Sequence, residues 1–171
     1  ITADSPLISP DIYRALVNYY FDGGFDYVNT GRSLAEGLDG EIFTFTALEK
    51  AWKEAIRATD REHMTMYIFR NRELFNNGTF ELSENDSQFR ITVDEECDFE
   101  VVSRIIDAFK AQLHQVEWPM IKYWLLGNPD VVALNSEIVR NQGYVNALEA
   151  NPQEADHADE HVKSNLTQRS S

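Results

Sequence analysis

The sequence predicts an α/β protein, with helices layered on a largely parallel sheet. Three observations predict it. Short runs with strand-like alternation recur between stretches of helical periodicity. Caps, glycines and prolines stand at the joints between them. The 171 residues, 43% of them apolar, are enough to bury a core. Strands that alternate with helices pack in layers, and such sheets bind ligands at the carboxyl ends of their strands.

Each element follows in order. Ile1-Thr2-Ala3 reads as the tail of a strand running into Asp4. Ser9-Pro10-Asp11 starts a helix, with serine as cap and proline where a missing N–H costs nothing. Ile12, Ala15, Leu16, Tyr19 and Tyr20 then recur at helical spacing until Gly23-Gly24 stops them. Phe25 to Asn29 is a short aromatic strand, and Gly31 to Gly37 reads as a surface loop. Glu41 to Phe45 alternates polar and apolar residues as a second strand, and Thr46 with Glu49 offers a cap for a helix running to Ala58. Glu62 to Asn71 suits one or two further helical turns, and Asn76 to Ser87 is polar and irregular. Phe89 to Val93 is the strongest strand signal, with Asp94 at its carboxyl end. Asp98 caps an amphipathic helix carrying Val101, Val102, Ile105, Ile106 and Phe109 on one face and ending near Leu113. Trp118 to Leu126 is apolar around Pro119, and a last helix fits Pro129 to Arg140. Beyond Leu148 the chain is polar with few large apolar residues, the composition of a solvated tail. The expected division is therefore a domain over 1–148 and a tail over 149–171.

Charge narrows the function classes. Fifteen basic residues against 29 acidic ones leave a net charge of −14, which opposes binding to a phosphate backbone, so no nucleic-acid partner is expected. Nucleotides stay open, because a cation held by carboxylates can receive their phosphates. No apolar run reaches the ~20 residues of a spanning helix, so no membrane partner is expected. A single cysteine, Cys97, permits no intrachain disulfide, which suits a cytoplasmic protein. Its three acidic neighbours, Glu95, Glu96 and Asp98, make it a poor nucleophile.

Four places can carry chemistry. Asp4 and Asp94 each directly follow an apolar β run. On neighbouring strands they would share a crevice as two hard oxygen ligands for Mg²⁺; alternatively, each caps the element after it. Gly37-Leu38-Asp39-Gly40-Glu41 sets two acids beside glycines, as a grip for sugar hydroxyls or as a plain turn. Arg61-Glu62-His63 opens a helix where an anion could sit, or forms a solvated charge cluster.

Taken in order, Thr2-Ala3-Asp4-Ser5-Pro6-Leu7-Ile8, Asp26-Tyr27-Val28-Asn29, Gly37-Leu38-Asp39-Gly40-Glu41-Ile42-Phe43, Arg61-Glu62-His63 and Thr92-Val93-Asp94 resemble the cytidylyltransferase-like proteins of spore-coat polysaccharide synthesis. These are relatives of the CMP-sugar synthetases that activate 3-deoxy-manno-octulosonate and sialic acid. The resemblance covers residues 1 to 109. It implies a nucleotide-diphospho-sugar transferase fold, a Rossmann-type three-layer α/β/α sandwich. It also implies CTP and a sugar, an acidic one, as substrates, Mg²⁺ as cofactor, and self-association as a homodimer. By the same resemblance Asp4 and Asp94 are the metal ligands, and Asp39, Glu41, Arg61 and His63 lie on the sugar side.

The family pattern also carries a preceding strand and a loop of the form Leu-x-x-Arg-x-x-Ser-x-Arg-Leu-Pro-Gly-Lys that holds the triphosphate, and nothing in this chain resembles it. The expectation is the carboxyl-terminal part of a longer enzyme, or a relative that no longer transfers nucleotides and serves as an assembly or binding protein. Gly40 stands where the family pattern has valine. A glycosyltransferase of similar fold fits less well, because no Asp-x-Asp motif is present.

Overall fold

The computed structural model of the protein describes residues 2–62 and 65–140, the side chains of Ala58 and Glu62 excepted. The expected tail lies outside the described residues. The chain divides into two compact units, one of residues 1–24, 28–42 and 78–137, the other of 25–27, 43–77 and 138–171.

Helix α1 spans Pro10–Gly23, as its cap and proline predict, and buries Ile12 and Leu16. Gly24 closes it in the left-handed conformation at φ 59°, which glycine adopts without steric cost. Ser9 makes no capping bond with its side chain; its hydroxyl donates instead to Glu117 Oε2 at 2.5 Å. Strand β1 is Tyr27–Thr30 and β2 is Glu41–Phe43. Helix α2, Phe45–Glu54, is capped by Thr44, whose Oγ1 accepts from the Ala47 N–H at 3.0 Å. The cap is therefore two residues earlier than expected at Thr46, because Thr44 ends the strand with an extended backbone. Two short helices follow, α3 at Ala58–Glu62 and α4 at Met66–Arg70.

Strand β3, Asn77–Phe80, occupies a stretch expected to be irregular. The three strands lie in the order β2-β1-β3. The bonds Thr30 N–H to Gly40 O and Thr44 N–H to Asp26 O run in opposite sense, so β1 and β2 are antiparallel. Asp26 N–H to Asn76 O and Gly31 N–H to Phe80 O advance together, so β1 and β3 are parallel. The sheet is mixed rather than largely parallel.

Residues 89–93, the strongest strand expectation, do not join this sheet. They form an extended, mostly buried run with a single parallel bridge from Arg90 to Glu36. Their apolar alternation came from burial, which a strand ladder and a lone extended segment satisfy equally. Residues 34–37, within the Gly31 to Gly37 stretch expected on the surface, are buried together with Leu38, and Leu34, Ala35 and Leu38 are fully enclosed.

Helix α5, Glu96–Phe109, starts from Glu95, and the side chains of Glu95 and Asp98 cap reciprocally. Asp98 thus stands in the first turn rather than at the cap position expected for it. Helices α6, Trp118–Gly127, and α7, Pro129–Val132, complete the first unit. Its core gathers Leu7, Ile12, Leu34, Ile91, Val101, Ile105, Trp118, Ile121 and Leu125. The second unit has its own small core of Tyr27, Ala47, Ala51, Ile68 and Phe75. The apolar stretch at 118–126 splits into a buried face of Trp118, Ile121 and Leu125 and an exposed one of Met120, Tyr123 and Leu126.

Candidate functional site

The site grows from the extended run 89–93. Phe89 and Ile91 are buried, so the backbone between them is fixed by packing. Its polar groups then organise two other segments. The Val93 N–H donates to Asp4 O at 2.8 Å, and the Thr92 hydroxyl donates to the same oxygen at 3.1 Å. The Ile91 N–H donates to Glu36 O at 2.7 Å, and the Glu36 N–H to Phe89 O at 3.0 Å. One run thereby ties together the segments of Asp4, Gly37 and Asp94, which are 90 positions apart in sequence at their extremes.

Close approach requires glycine at 37. Its φ is 101°, and a Cβ there would stand 2.6 Å from Thr92 N and 2.7 Å from the Ile91 carbonyl carbon. The Gly37 N–H donates to Asp39 Oδ2 at 3.1 Å, and the Asp39 carbonyl accepts from the Tyr13 hydroxyl. Burial, then the Asp39 charge, raise the Tyr13 pKa, so the phenol keeps its proton and its role as donor. The Tyr13 ring also explains the glycine at 40: a Cβ there would meet Cε1 at 2.7 Å, so the space that valine would need is filled by tyrosine.

Charge concentrates below Asp94. Arg90, only 8% exposed, sends Nη1 to Glu36 Oε2 at 2.6 Å and Nη2 to Asp94 Oδ2 at 2.7 Å. It grips Asp98 with both Nε, 2.8 Å from Oδ1, and Nη2, 2.7 Å from Oδ2. Asp98 is fully buried and also receives the Asp94 and Glu95 N–H groups at 3.1 and 3.0 Å, and Asn135 Nδ2 at 2.8 Å. Burial alone would push the Asp98 carboxyl up, but hydrogen bonds from Arg90, Asn135 and these amides outweigh it and hold the group down at about 2. Arg90 is likewise disfavoured by burial, but its bonds to Asp98 and Glu36 raise its affinity for the proton further.

The other expected residues fall as follows. Asp4 is half-buried, and its Oδ1 accepts from the hydroxyls of Thr2 and of Ser5, the latter at 3.3 Å. Asp94 keeps a half-exposed carboxylate. Glu41 is exposed on β2. Arg61 is exposed in the last turn of α3, in the second unit, rather than at the start of a helix as expected. His63 lies outside the described residues.

Sequence reasoning missed Arg90, Glu36, Asn135 and Tyr13. Arg90 left one readable signal: a cation between Phe89 and Ile91 in an apolar run must find carboxylates if that run is buried. Asn135 left none, since its partner is 37 residues away.

The residues at Asp4 and Asp94 suit a hard divalent cation. Carboxylate and hydroxyl oxygens are the ligands that Mg²⁺ prefers, and it commonly takes only one or two protein carboxylates, with water and substrate phosphates completing six. Among the described residues no three His, Cys, Asp or Glu side chains cluster as a complete metal cage. Among the described residues no helix is long and apolar enough to cross a membrane.

No family model matches the chain. An uncharacterized protein of Methanocaldococcus jannaschii is 38% identical over 146 residues, covering 84% of this chain and 58% of the relative. A solved cytidylyltransferase from Leptospira borgpetersenii serovar Hardjo-bovis superposes with a TM-score of 0.72 at 27% identity, over 82% of this chain and 59% of that one. The chain thus spans somewhat under three fifths of both proteins. Its fold is a mixed α/β fold of the nucleotidyltransferase kind, similar to that of the cytidylyltransferase.

Proposed function

We propose that the chain is the metal-side and sugar-side part of a cytidylyltransferase that moves CMP from CTP to a hydroxyl of an acidic sugar, for a cell-surface or spore-coat polysaccharide. The observation that carries this reading is the seating of Asp4, whose carbonyl oxygen accepts from the Val93 N–H at 2.8 Å and from the Thr92 hydroxyl at 3.1 Å, within a fold that resembles a solved cytidylyltransferase. The sugar oxygen attacks the α-phosphorus, the bond to the bridging oxygen of pyrophosphate breaks, and the hydroxyl proton passes to water. Asp4 and Asp94 hold the cation. Mg²⁺ bound there supplies positive charge where negative charge gathers on the phosphates. The Gly37 turn lets backbone come close to a ligand and Asp39 and Glu41 take sugar hydroxyls, while Arg61 and His63 are assigned to the sugar side by family resemblance alone. The working protein is a homodimer in the cytoplasm.

The test uses a protein that contains this chain at its natural length, with CTP, Mg²⁺ and a panel of acidic sugars, and reads pyrophosphate release. Release that needs both CTP and one sugar is expected. Asp4→Asn and Asp94→Asn should each lower it by about 100-fold, the equivalent of ~3 kcal/mol of charge stabilisation. Release indifferent to both aspartates overturns the metal assignment.

A second reading, a non-catalytic assembly protein, is favoured by one observation. Phe109, Pro119, Met120, Tyr123 and Trp124 line an open apolar groove of about 560 Å³. It expects self-association through that groove, and a Tyr123→Glu protein of unchanged mass by light scattering would overturn it.

A further inference from the structure

We propose that Arg90 is a positioning residue for the metal site: it clamps one oxygen of the Asp94 carboxylate so that the other is presented to a divalent cation. The inference rests on the metal reading of Asp4 and Asp94 above and assigns a new part to a buried cation.

Arg90 donates hydrogen bonds from Nε and Nη2, and its Nη1 faces Glu36 as an ion pair. Nη2 sits 2.7 Å from Asp94 Oδ2 and 2.7 Å from Asp98 Oδ2, Nε holds Asp98 Oδ1 at 2.8 Å, and Nη1 holds Glu36 Oε2 at 2.6 Å. Asp94 Oδ1 is left without a partner among the described residues. A lysine could supply the same charge but not this geometry, because a single ammonium cannot reach three carboxylates from fixed directions.

The frame around the guanidinium is rigid. Asp98 is fully buried and binds the Asp94 N–H at 3.1 Å, so the residue that fixes Arg90 also fixes the backbone of Asp94. Asn135 seals it from the other side, with Nδ2 on the Arg90 carbonyl at 3.1 Å and on Asp98 Oδ1 at 2.8 Å. Glu36 links the clamp to the neighbouring turn, since its own carbonyl accepts from Ile91 and Gly37 follows it directly. Metal ligands are commonly oriented in this way by groups behind them, and losing such a group costs about 10–100-fold in metal affinity.

Charge supports the same conclusion. Three carboxylates, Glu36, Asp94 and Asp98, share one guanidinium, which leaves two negative charges in a partly desolvated cluster. A divalent cation at the outer oxygen of Asp94 neutralises both, and burial strengthens that attraction relative to water.

The test is a double-mutant cycle on Mn²⁺ binding to the full chain, read from the electron paramagnetic resonance signal of the free ion. Asp94→Asn is expected to weaken binding at least about tenfold. Arg90→Lys keeps the charge and should weaken it about tenfold as well. In the combined Arg90→Lys/Asp94→Asn protein, the lysine should then add no more than twofold, because Arg90 acts through Asp94. Should Arg90→Lys fail to fold, Glu36→Gln loosens the same fork from its far side and takes its place in the cycle. Additive losses overturn the positioning role while the metal reading stands. Mn²⁺ binding that ignores both Asp4→Asn and Asp94→Asn overturns the metal reading, and the positioning role with it.

Discussion

Replacing Asp98 by asparagine tests the electrostatic account of the first unit. Asp98→Asn keeps the shape of the side chain but removes the charge that Arg90 faces at 2.7 and 2.8 Å, and turns one acceptor into a donor against amide donors. Breaking a buried ion pair from one side costs about 3–5 kcal/mol, so urea unfolding at pH 7 should show a loss of that size. The pH dependence is more specific. The Asp98 carboxyl falls from 3.8 to about 2 on folding, which is worth about 2 kcal/mol. A carboxyl with a depressed native pKa binds protons more readily when unfolded. Its stabilisation is therefore complete above pH 5 and disappears as pH falls through 3.8 towards 2.

The wild type should consequently lose about 1 kcal/mol more than the Asp98→Asn protein between pH 5 and pH 3. The remaining carboxylates titrate in both proteins and cancel in the difference. Tryptophan fluorescence is a suitable probe, because Trp118 is buried in the same unit and donates its indole N–H to Asp86 at 2.7 Å. A stability difference that stays constant from pH 7 to pH 3 would refute the claim that hydrogen bonds hold this carboxyl ionised.

Gly37→Ala should cost at least about 2 kcal/mol by urea unfolding, since the new Cβ meets backbone at 2.6 Å with φ at 101°; a shift below about 0.5 kcal/mol would mean that the 36–37 turn can move away. Trp118→Phe keeps the edge-on contact with Phe89, 5.7 Å between ring centres, but leaves buried Asp86 to Lys122 alone. A cost of about 1–3 kcal/mol is expected, read as a Tm lowered by about 2–4 °C per kcal/mol, and an unchanged Tm would contradict it.

Local signals made the helices legible. Ser9-Pro10 and Gly23-Gly24 bracket α1, and the apolar face from Val101 to Ile105 marks α5, because caps and periodicity act within a few residues. The strands were less legible. Asn77-Gly78 reads as a turn in isolation but is held in β3, where tertiary pairing overrides local preference. Phe89 to Val93 shows the reverse case: a strong local pattern whose pairing is confined to one bridge. Of the candidate site, Asp4, Gly37 and Asp94 could be read because each follows or interrupts an apolar run. The network beneath them could not, because Glu36, Arg90, Asp98 and Asn135 meet only through folding across up to 99 positions.

The first unit is assembled from three separate stretches of chain, and this has a consequence during synthesis. A ribosome adds roughly 5–20 residues per second, so Ser9 waits about 5–20 s for Glu117 to be made. Glu36 is without Arg90 for part of that interval, and Asp98 without Asn135. Leu34 and Leu38, both fully buried at the end in one cluster with Val101, Ile105 and Ile121, stay in water until α5 and α6 exist to cover them. The amino-terminal third of this unit is thus a natural client for a chaperone that shields apolar surface, and its folding is a post-translational or late co-translational event rather than a progressive one.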